Sequence, residues 1–231
     1  MIDLPCLILA GGFGTRLRSV VSEVPKPLAP VGDKPFLHWL LGNLEYQGVK
    51  EITISLHYQA SLIEQYLERE SFGLKISTVI DPEPLGTGGA IAYSVRQQQW
   101  TGSFFTINGD TWLGSWVASF SGVHSPAIGL VHVEDTSRYG SVDWQDQKVQ
   151  RFMEKKPNAG PGWINAGVYL LQAADFKDWD GHPFSLERNL LPRWAQQGRL
   201  QACPLQTEFI DIGVPEDYHQ FCEWHQRGKL K

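Results

Sequence analysis

The chain has 231 residues, of which 42% are hydrophobic and 19% are charged, so its composition is typical of a folded domain and not of a disordered segment. The net charge of -5 at pH 7 argues against a nucleic-acid partner, because a broad nucleic-acid surface favours a basic domain. No apolar run is long enough to span a bilayer, so we expect no membrane partner and a cytoplasmic location. The three cysteines and seven histidines lack the spacing of a zinc site.

The first half of the chain alternates between the hydrophobic patterns of strands and helices. Residues 4–10 form a continuous apolar run, which is typical of a strand buried on both faces. The next predicted elements are a helix that opens at Pro35 and stops near Gly48, a strand over 52–56, a helix around 62–67, a strand over 75–80, a helix over 88–97 and a strand over 103–107. This alternation predicts an α/β fold with a mixed, mostly parallel central sheet flanked by helices. Ligands of such sheets collect beyond the carboxyl ends of the strands.

The second half is less regular, but it also reads as strands and helices. The predicted strands cover 128–133, 141–144, 149–153 and 164–171, and the predicted helices cover about 186–197 and 215–226. No linker, repeat or low-complexity tract interrupts the chain, so we predict a single domain over 1–231. The apolar content of this half makes a homodimer an expectation. The tryptophans at 112, 116, 144 and 163 are interpreted as core or subunit-contact residues.

A glycine-rich loop with neighbouring cations follows the first strand. Glycine is costly to order, so Gly11-Gly12-Phe13-Gly14-Thr15-Arg16 indicates a sharp turn or a close approach to a ligand. The loop matches neither a Walker A motif nor a dinucleotide fingerprint. Lys26 stands between two prolines, and together with the loop N–H groups and the Arg16 guanidinium it suits a polyphosphate. A tight structural turn would explain the glycines alone, and a solvated surface side chain would explain Arg16 alone. Neither explains the glycines, Arg16 and Lys26 together.

The motifs resemble those of the sugar-1-phosphate nucleotidyltransferases along nearly the whole chain. The opening LAGGFGTRL and PKPLAPV resemble the family signature, and the later motifs follow in the family's order: EPLGTGGAI (83–91), NGD (108–110), EKKP (154–157), NAGVY (165–169) and FIDIGVPEDY (209–218). Within the family, the compact length, FSLERNLLP (184–192) and FIDIGVPEDY are most similar to D-glycero-D-manno-heptose 1-phosphate guanylyltransferases. The resemblance implies a Rossmann-like nucleotidyltransferase fold and a role in bacterial cell-surface sugar synthesis.

The implied reaction joins a sugar 1-phosphate to a nucleoside triphosphate and releases pyrophosphate. A phosphate monoester already carries nearly two negative charges, so its oxygen attacks without a general base. The work of the protein is then to bring two anions together, which calls for fixed cations and positioning. By the resemblance, residues of about 1–112 bind the nucleotide and residues of about 113–231 bind the sugar phosphate. Arg16, Lys26 and Asp110 are the implied catalytic residues.

The resemblance assigns the remaining site residues motif by motif. The implied nucleotide-binding residues are Leu9, Ala10, Gly11, Gly12, Gly14, Thr15, Arg16, Gly86, Thr87 and Gly88. The implied sugar-phosphate-binding residues are Gly109, Glu154, Lys155, Asn165 and Gly167. Asp110 and Asp211 each stand at a predicted strand end and are expected to bind Mg²⁺, which prefers oxygen ligands and often uses one or two carboxylates with substrate phosphates.

Two departures from the family pattern and three alternatives stay open. Many members have proline where this chain has Arg18, and the usual Glu-Lys-Pro carries an extra lysine, so either Lys155 or Lys156 faces the sugar phosphate; we favour Lys155. One alternative is a different pair, mannose 1-phosphate with GTP or an amino-sugar 1-phosphate with UTP. A second is a non-catalytic regulator that binds nucleotide sugars. A nucleotide-cofactor oxidoreductase is disfavoured, because no fitting dinucleotide fingerprint with its acidic ribose-binding residue is present.

Overall fold

The computed structural model describes residues 4–157 and 159–230. The strands are β1 (Cys6–Leu9), β2 (Pro30–Val31), β3 (Lys34–Pro35), β4 (Glu51–Leu56), β5 (Lys75–Ile80), β6 (Ser103–Asn108), β7 (Thr111–Leu113), β8 (Ala127–Val133), β9 (Ser141–Gln145), β10 (Lys148–Met153), β11 (Gly162–Gln172), β12 (Gln201–Pro204) and β13 (Phe209–Asp211). The α-helices are α1 (Phe36–Tyr46), α2 (Ala60–Arg69), α3 (Gly86–Gln97), α4 (Leu191–Gln196) and α5 (Pro215–Gln226).

Within these residues, a nine-stranded sheet carries the fold in the order β5-β4-β1-β6-β11-β8-β12-β10-β9. The four strands β5, β4, β1 and β6 run parallel to one another, and β12 is parallel to β8. Strand β11 is antiparallel to both β6 and β8, and β10 is antiparallel to both β12 and β9. Seven of the nine strands therefore share one direction, which confirms the predicted mixed, mostly parallel sheet.

The two faces of the sheet bury separate apolar clusters. Successive strand side chains point to opposite faces, so Ile8 packs with α1 and α5, whereas its neighbour Leu7 packs with α3 and α4. Helix α1 begins after Pro35 and ends at Tyr46, and Gly48 follows with a positive φ of 88°, as the sequence predicts. With both faces covered, the edge formed by the carboxyl ends of the parallel strands is left open to ligands.

The structure corrects several predicted boundaries. Strand β1 covers only Cys6–Leu9 of the predicted 4–10, and α3 begins at Gly86 rather than at residue 88. The helix predicted over 186–197 is divided into a π-helical turn, Leu186–Leu190, and α4. Pro192 lies at the start of α4, and its lack of an N–H removes an α-helical hydrogen bond at this junction. Strands β2, β3, β7 and β12 were missed because two to four residues are too few to show a period, whereas β13 ends at Asp211 as predicted.

The apolar residues of the second half are largely buried, so the reason for expecting a homodimer was wrong. Among the described residues, the large hydrophobic side chains that stay exposed are Phe13, Val20, Tyr46 and Ile80, all in the first half. Trp112 and Trp116 are buried, which confirms their interpretation as core residues. The homodimer itself stays a prediction.

The described helices were also compared with the length of a bilayer. Over 4–157 and 159–230, no helix has both the length and the apolar character that a membrane crossing requires.

Candidate active site

The site forms where β1 and β6 end side by side. Leu9 is the register partner of Asn108, and the Gly109 N–H donates a hydrogen bond of 2.8 Å to the Leu9 carbonyl. A Cβ atom on residue 109 would lie 2.8 Å from that carbonyl oxygen, so glycine is needed for this close approach. The carbonyl of Asp110 accepts a bond of 2.9 Å from Ile212 N–H. These bonds bring the glycine loop, the NGD motif and the end of β13 to one edge.

An ammonium group lies between two carboxylates at this edge. Lys26 Nζ contacts Asp110 Oδ2 and lies 3.7 Å from Asp211 Oδ1. Burial and then the negative charge of Asp110 raise the pKa of Asp211, while Lys26, the Gly213 N–H and Arg16 oppose that rise. A Cβ atom on Gly213 would lie 3.1 Å from the Arg16 Nη2 atom, so the guanidinium joins the group because residue 213 is small. We call Arg16, Lys26, Asp110 and Asp211 the charged rim.

The charged rim offers oxygen atoms that fit a divalent cation. Lys26 contacts Oδ2 of Asp110 and faces Oδ1 of Asp211, so one oxygen of each carboxylate is left over. The remaining Asp110 oxygen has only a long contact, 3.4 Å, with the Thr111 hydroxyl. In the described part of the chain no three His, Cys, Asp or Glu side chains group together as metal ligands. A cation here would need phosphate oxygens and water to complete its shell, which is the chemistry of Mg²⁺.

Three adjoining cavities open at the charged rim, and the first, the loop cavity, follows the glycine loop. Its volume is about 210 Å³. It is lined by Leu9, Ala10, Gly12, Gly14, Thr15, Arg16, Lys26, Pro27, Gly109, Asp110 and Gly213. Two cations and successive backbone N–H groups at a strand end form a concave anion site. The loop cavity therefore suits a polyphosphate chain.

The second, the apolar cavity, has a volume of about 420 Å³ and contains one buried acid. It is lined by Leu9, Gly11, Gly12, Phe13, Ser55, His57, Asp81, Pro84, Leu85, Gly86, Thr87, Ala90, Asn108 and Asp110. Asp81 is 5% exposed, and its carboxylate has only long contacts with the Ser55 hydroxyl, 3.3 and 3.5 Å. Burial raises the pKa of the Asp81 carboxyl to about 6. A carboxylate accepts up to four hydrogen bonds, so Asp81 has capacity left for donors of a ligand.

The third, the polar cavity, has a volume of about 180 Å³ and is rich in hydrogen-bonding groups. It is lined by Arg16, Asn108, Thr111, Arg138, Tyr139, Lys155, Asn165, Ala166, Gly167, Tyr169, Glu187, Phe209 and Asp211. Gly167 has a φ of 72°, and its N–H donates to Asn165 Oδ1 at 2.9 Å. The register of β11 with β8 shifts between Asn165 and Tyr169, which turns this segment into the cavity. Cations, amides and hydroxyls in one small space suit a phosphorylated, polyhydroxylated ligand.

Most of the predicted site residues lie in these cavities, and two do not. Gly88 is buried where a Cβ atom would overlap the ring of Phe184, so its small size serves helix packing. Glu154 is exposed and lines none of the three cavities, whereas its neighbour Lys155 lines the polar cavity and Lys156 does not. The assigned roles of all these residues stay predictions.

Sequence reasoning missed three charged side chains that line the cavities, two acids and one arginine. Asp81 follows the end of β5, and its place at the carboxyl end of a parallel strand was a usable signal. Glu187 lies inside the FSLERNLLP motif, which was used for the subgroup but given no role. Arg138 makes two hydrogen bonds to the Asp217 carboxylate, at 3.1 and 2.6 Å, a pairing that no local pattern reveals.

A charged rim between an apolar and a polar cavity, at the open edge of a mainly parallel sheet, suits an enzyme that joins two phosphate-bearing molecules. The nucleotidyl transferase family model matches residues 6–226, and the chain belongs to this family. The family resemblance expected from the motifs is therefore confirmed.

Similar proteins cover nearly the whole chain. The D-glycero-alpha-D-manno-heptose 1-phosphate guanylyltransferase of Campylobacter jejuni is 37% identical over 220 residues, which are 94% of this chain and 98% of the relative. The protein of the same description from Aneurinibacillus thermoaerophilus is 36% identical over 94% of this chain and 96% of the relative. The crystal structure of HddC from Yersinia pseudotuberculosis, complexed with GMP-PN, matches with a TM-score of 0.85 at 39% identity, over 96% of this chain and 99% of that one.

Proposed function

We propose that the chain transfers the guanylyl group of GTP to D-glycero-α-D-manno-heptose 1-phosphate and releases pyrophosphate. One observation carries the proposal: the three cavities share residues of the charged rim. Arg16 lines both the loop cavity and the polar cavity, and Asp110 lines both the loop cavity and the apolar cavity. A triphosphate in the loop cavity and a sugar phosphate in the polar cavity would therefore meet at Arg16.

The transfer needs little from the protein beyond charge and position. An oxygen of the sugar phosphate forms a bond to the α-phosphorus of GTP, while the bond from that phosphorus to the bridging oxygen breaks and pyrophosphate leaves. Arg16 offsets the repulsion between the two anions, and Lys26 with the glycine-loop N–H groups stabilises the leaving pyrophosphate. No general base is required, because the attacking phosphate is already ionised.

Asp81 supports guanine as the base. Among the nucleobases, guanine presents N1–H and the 2-amino group as two adjacent donors on one edge, which matches the two oxygens of a carboxylate. The Asp81 carboxylate lies in an otherwise mainly apolar cavity, with only long contacts to Ser55. The names of the similar guanylyltransferases from Campylobacter jejuni and Aneurinibacillus thermoaerophilus agree with this choice and support heptose 1-phosphate as the acceptor.

We also propose Mg²⁺ as the cofactor, held by the free oxygens of Asp110 and Asp211. The ion would supply positive charge to the phosphate groups at the charged rim. Electron paramagnetic resonance of added Mn²⁺, recorded with a GTP analogue present, tests the site without turnover. We expect the bound signal to be lost in Asp211→Asn, and an unchanged signal in that variant would reject these ligands.

A pyrophosphate-release screen tests the proposed reaction. Purified protein is incubated with each nucleoside triphosphate and with heptose, mannose and N-acetylglucosamine 1-phosphates in turn. We expect the GTP and heptose 1-phosphate pair to give the highest kcat/KM. A higher value for any other pair would reject the substrate choice. Binding of nucleotide sugar in a calorimeter, without turnover of any pair, would favour the regulator instead.

The reaction is placed in the cytoplasm, also as a proposal. Among the described residues, Cys6, Cys203 and Cys222 are free thiols, and free thiols persist in a reducing compartment.

A further inference from the structure

Glu187 lies between the apolar cavity and the polar cavity, on the π-helical turn Leu186–Leu190. Its side chain lines the polar cavity. Its Oε2 atom accepts hydrogen bonds from the hydroxyls of Thr87, at 2.5 Å, and Ser185, at 2.8 Å. Thr87 in turn lines the apolar cavity. One carboxylate therefore connects the walls of the two cavities that would hold the two substrates.

The contact with Thr87 fixes the Glu187 carboxylate from the nucleotide side. The Thr87 hydroxyl accepts a bond of 2.9 Å from the Leu186 N–H and donates its own proton to Glu187. A hydroxyl has one proton to donate, so that of Thr87 is used within the protein. Both the turn that carries Glu187 and the direction of its carboxylate are thus held by residue 87.

The described hydrogen-bond donors to the Glu187 carboxylate are neutral hydroxyl groups, while the cations of the polar cavity form no ion pair with it. Burial, followed by the charge of Glu187, raises the pKa of Tyr169 well above its ordinary value, so the phenol stays protonated. The Tyr169 hydroxyl accepts from Asn165 Nδ2 at 2.8 Å. Within 4–157 and 159–230, no Lys, Arg or His side chain forms an ion pair with Glu187, whereas Asp211, the other acid of this cavity, lies 3.7 Å from Lys26.

We infer that Glu187 binds the ring hydroxyls of the sugar through its Oε1 atom, and that Thr87 is its positioning residue. A carboxylate repels the sugar's phosphate, so it belongs at the hydroxyl end of the ligand, whereas the cations of this cavity, Lys155 and Arg16, suit the phosphate end. It also disfavours sugars that carry a second anion, such as uronic acids or bisphosphates, and selects neutral polyhydroxylated ones. This inference rests on the proposed function, because it assumes a sugar phosphate in the polar cavity.

The variant Glu187→Gln tests the role of the charge with almost no change of shape. A hydrogen bond to a charged group contributes about 1.5–3 kcal/mol, which is roughly a 13- to 160-fold change in affinity. We expect KM for the sugar phosphate to rise by about 10-fold or more, while GTP binding in a calorimeter stays unchanged. Arg188→Gln, an exposed neighbour on the same turn, is the matched control and should leave both unchanged.

A series of monodeoxy sugar 1-phosphates identifies the hydroxyl that Glu187 binds. For one analogue, wild type should lose about 10-fold or more in kcat/KM, whereas Glu187→Gln should lose little further, because the partner is already gone. Equal losses in both enzymes for every analogue would overturn the inference. If wild type releases no pyrophosphate with any substrate pair, the proposed function itself fails, which is a different result.

The positioning role of Thr87 has its own test, which also serves if Glu187→Gln does not fold. Thr87→Val should raise the sugar phosphate KM in the same direction, and Thr87→Ser, which restores the hydroxyl, should return it towards the wild-type value. A value for Thr87→Ser that stays as high as that of Thr87→Val would show that the methyl group, not the hydroxyl, matters. That outcome would overturn the positioning role.

Discussion

The apolar cavity and the polar cavity offer different chemical groups to a ligand. The apolar cavity lies over the parallel strands β1, β4 and β6 and contains a single buried acid, Asp81, that is not part of the charged rim. The polar cavity is formed by β11, by other segments of the second half and by Arg16, Asn108 and Thr111 of the first half, and it is lined by several charged and amide side chains. On the proposed function, base choice would depend on one desolvated carboxylate, whereas sugar choice would be distributed over many partly exposed groups.

The largest effect is expected at Arg16, because it lines both the loop cavity and the polar cavity. Arg16→Ala should lower kcat/KM by about 1,000-fold, the size found for removal of a group that stabilises transition-state charge. The thermal midpoint should change little, since the side chain is exposed.

Arg18→Ala is the matched control for Arg16. Arg18 lies over the Tyr58 ring at 5.0 Å and lines none of the three cavities, so its loss should leave turnover unchanged. Equal losses of kcat/KM in the two variants would mean that turnover depends on the glycine loop as a whole and not on the shared Arg16 cation.

The second effect separates base choice from sugar choice at Asp81. Asp81→Asn should reduce kcat/KM for GTP by roughly 10- to 100-fold, because two hydrogen bonds to a charged acceptor become mismatched. KM for the sugar phosphate should stay within about twofold of wild type, since Asp81 does not line the polar cavity. Steady-state kinetics with each substrate varied in turn measures kcat/KM for GTP and KM for the sugar phosphate. A rise in KM for the sugar phosphate as large as the loss in kcat/KM for GTP would contradict separate roles for the two cavities.

A smaller effect is expected at Arg138, one of several cations in the polar cavity. Arg138→Met should raise KM for the sugar phosphate by about 10-fold and leave KM for GTP unchanged. Asp217→Asn should have a weaker effect in the same direction, because the amide still accepts one of the two hydrogen bonds that hold the guanidinium. If Arg138→Met changes only the thermal midpoint, the residue is structural.

The smallest effect is a pH dependence that also belongs to Asp81. Burial raises the pKa of this carboxyl to about 6 in the free protein, despite the opposing hydrogen bond of Ser55 and the charge of His57. Guanine binds the ionised form, so KM for GTP should rise as the pH falls through 6, by about fourfold between pH 7.5 and 5.5. In Asp81→Asn the titrating carboxyl is absent, so the same experiment on this variant measures the pH dependence that comes from GTP itself. Parallel profiles for the two proteins would remove Asp81 from base recognition.

The sequence predicts the parallel half of the molecule well, because its elements are long and its ligand groups follow strand ends. The glycine loop, Lys26 and Asp110 lie together as the motifs indicate. Asp211 reaches them through β13, where it is the register partner of Thr111, and both strands of this pair are only three residues long. Such short strands carry no period, so the meeting was predicted from the motif order and from the placement of both aspartates at strand ends.

The polar cavity is less predictable, since its members come from distant parts of the chain. Arg138 and Asp217 are 79 positions apart, and Thr87 and Glu187 are 100 apart. Asp217 stands in the first turn of α5, where its charge complements the helix dipole, and its carboxylate also holds Arg138. Side-chain pairs of this kind depend on how distant segments of the chain pack together, which residue patterns along the chain do not encode.

A crystal structure of the protein with a non-hydrolysable GTP analogue and a sugar 1-phosphate tests the shared charged rim most directly. We predict that the triphosphate follows the glycine loop and that phosphate oxygens of both ligands lie within hydrogen-bonding distance, about 3 Å, of the Arg16 guanidinium. A triphosphate held away from the loop, or two ligands whose phosphates contact no common residue of the charged rim, would contradict the account.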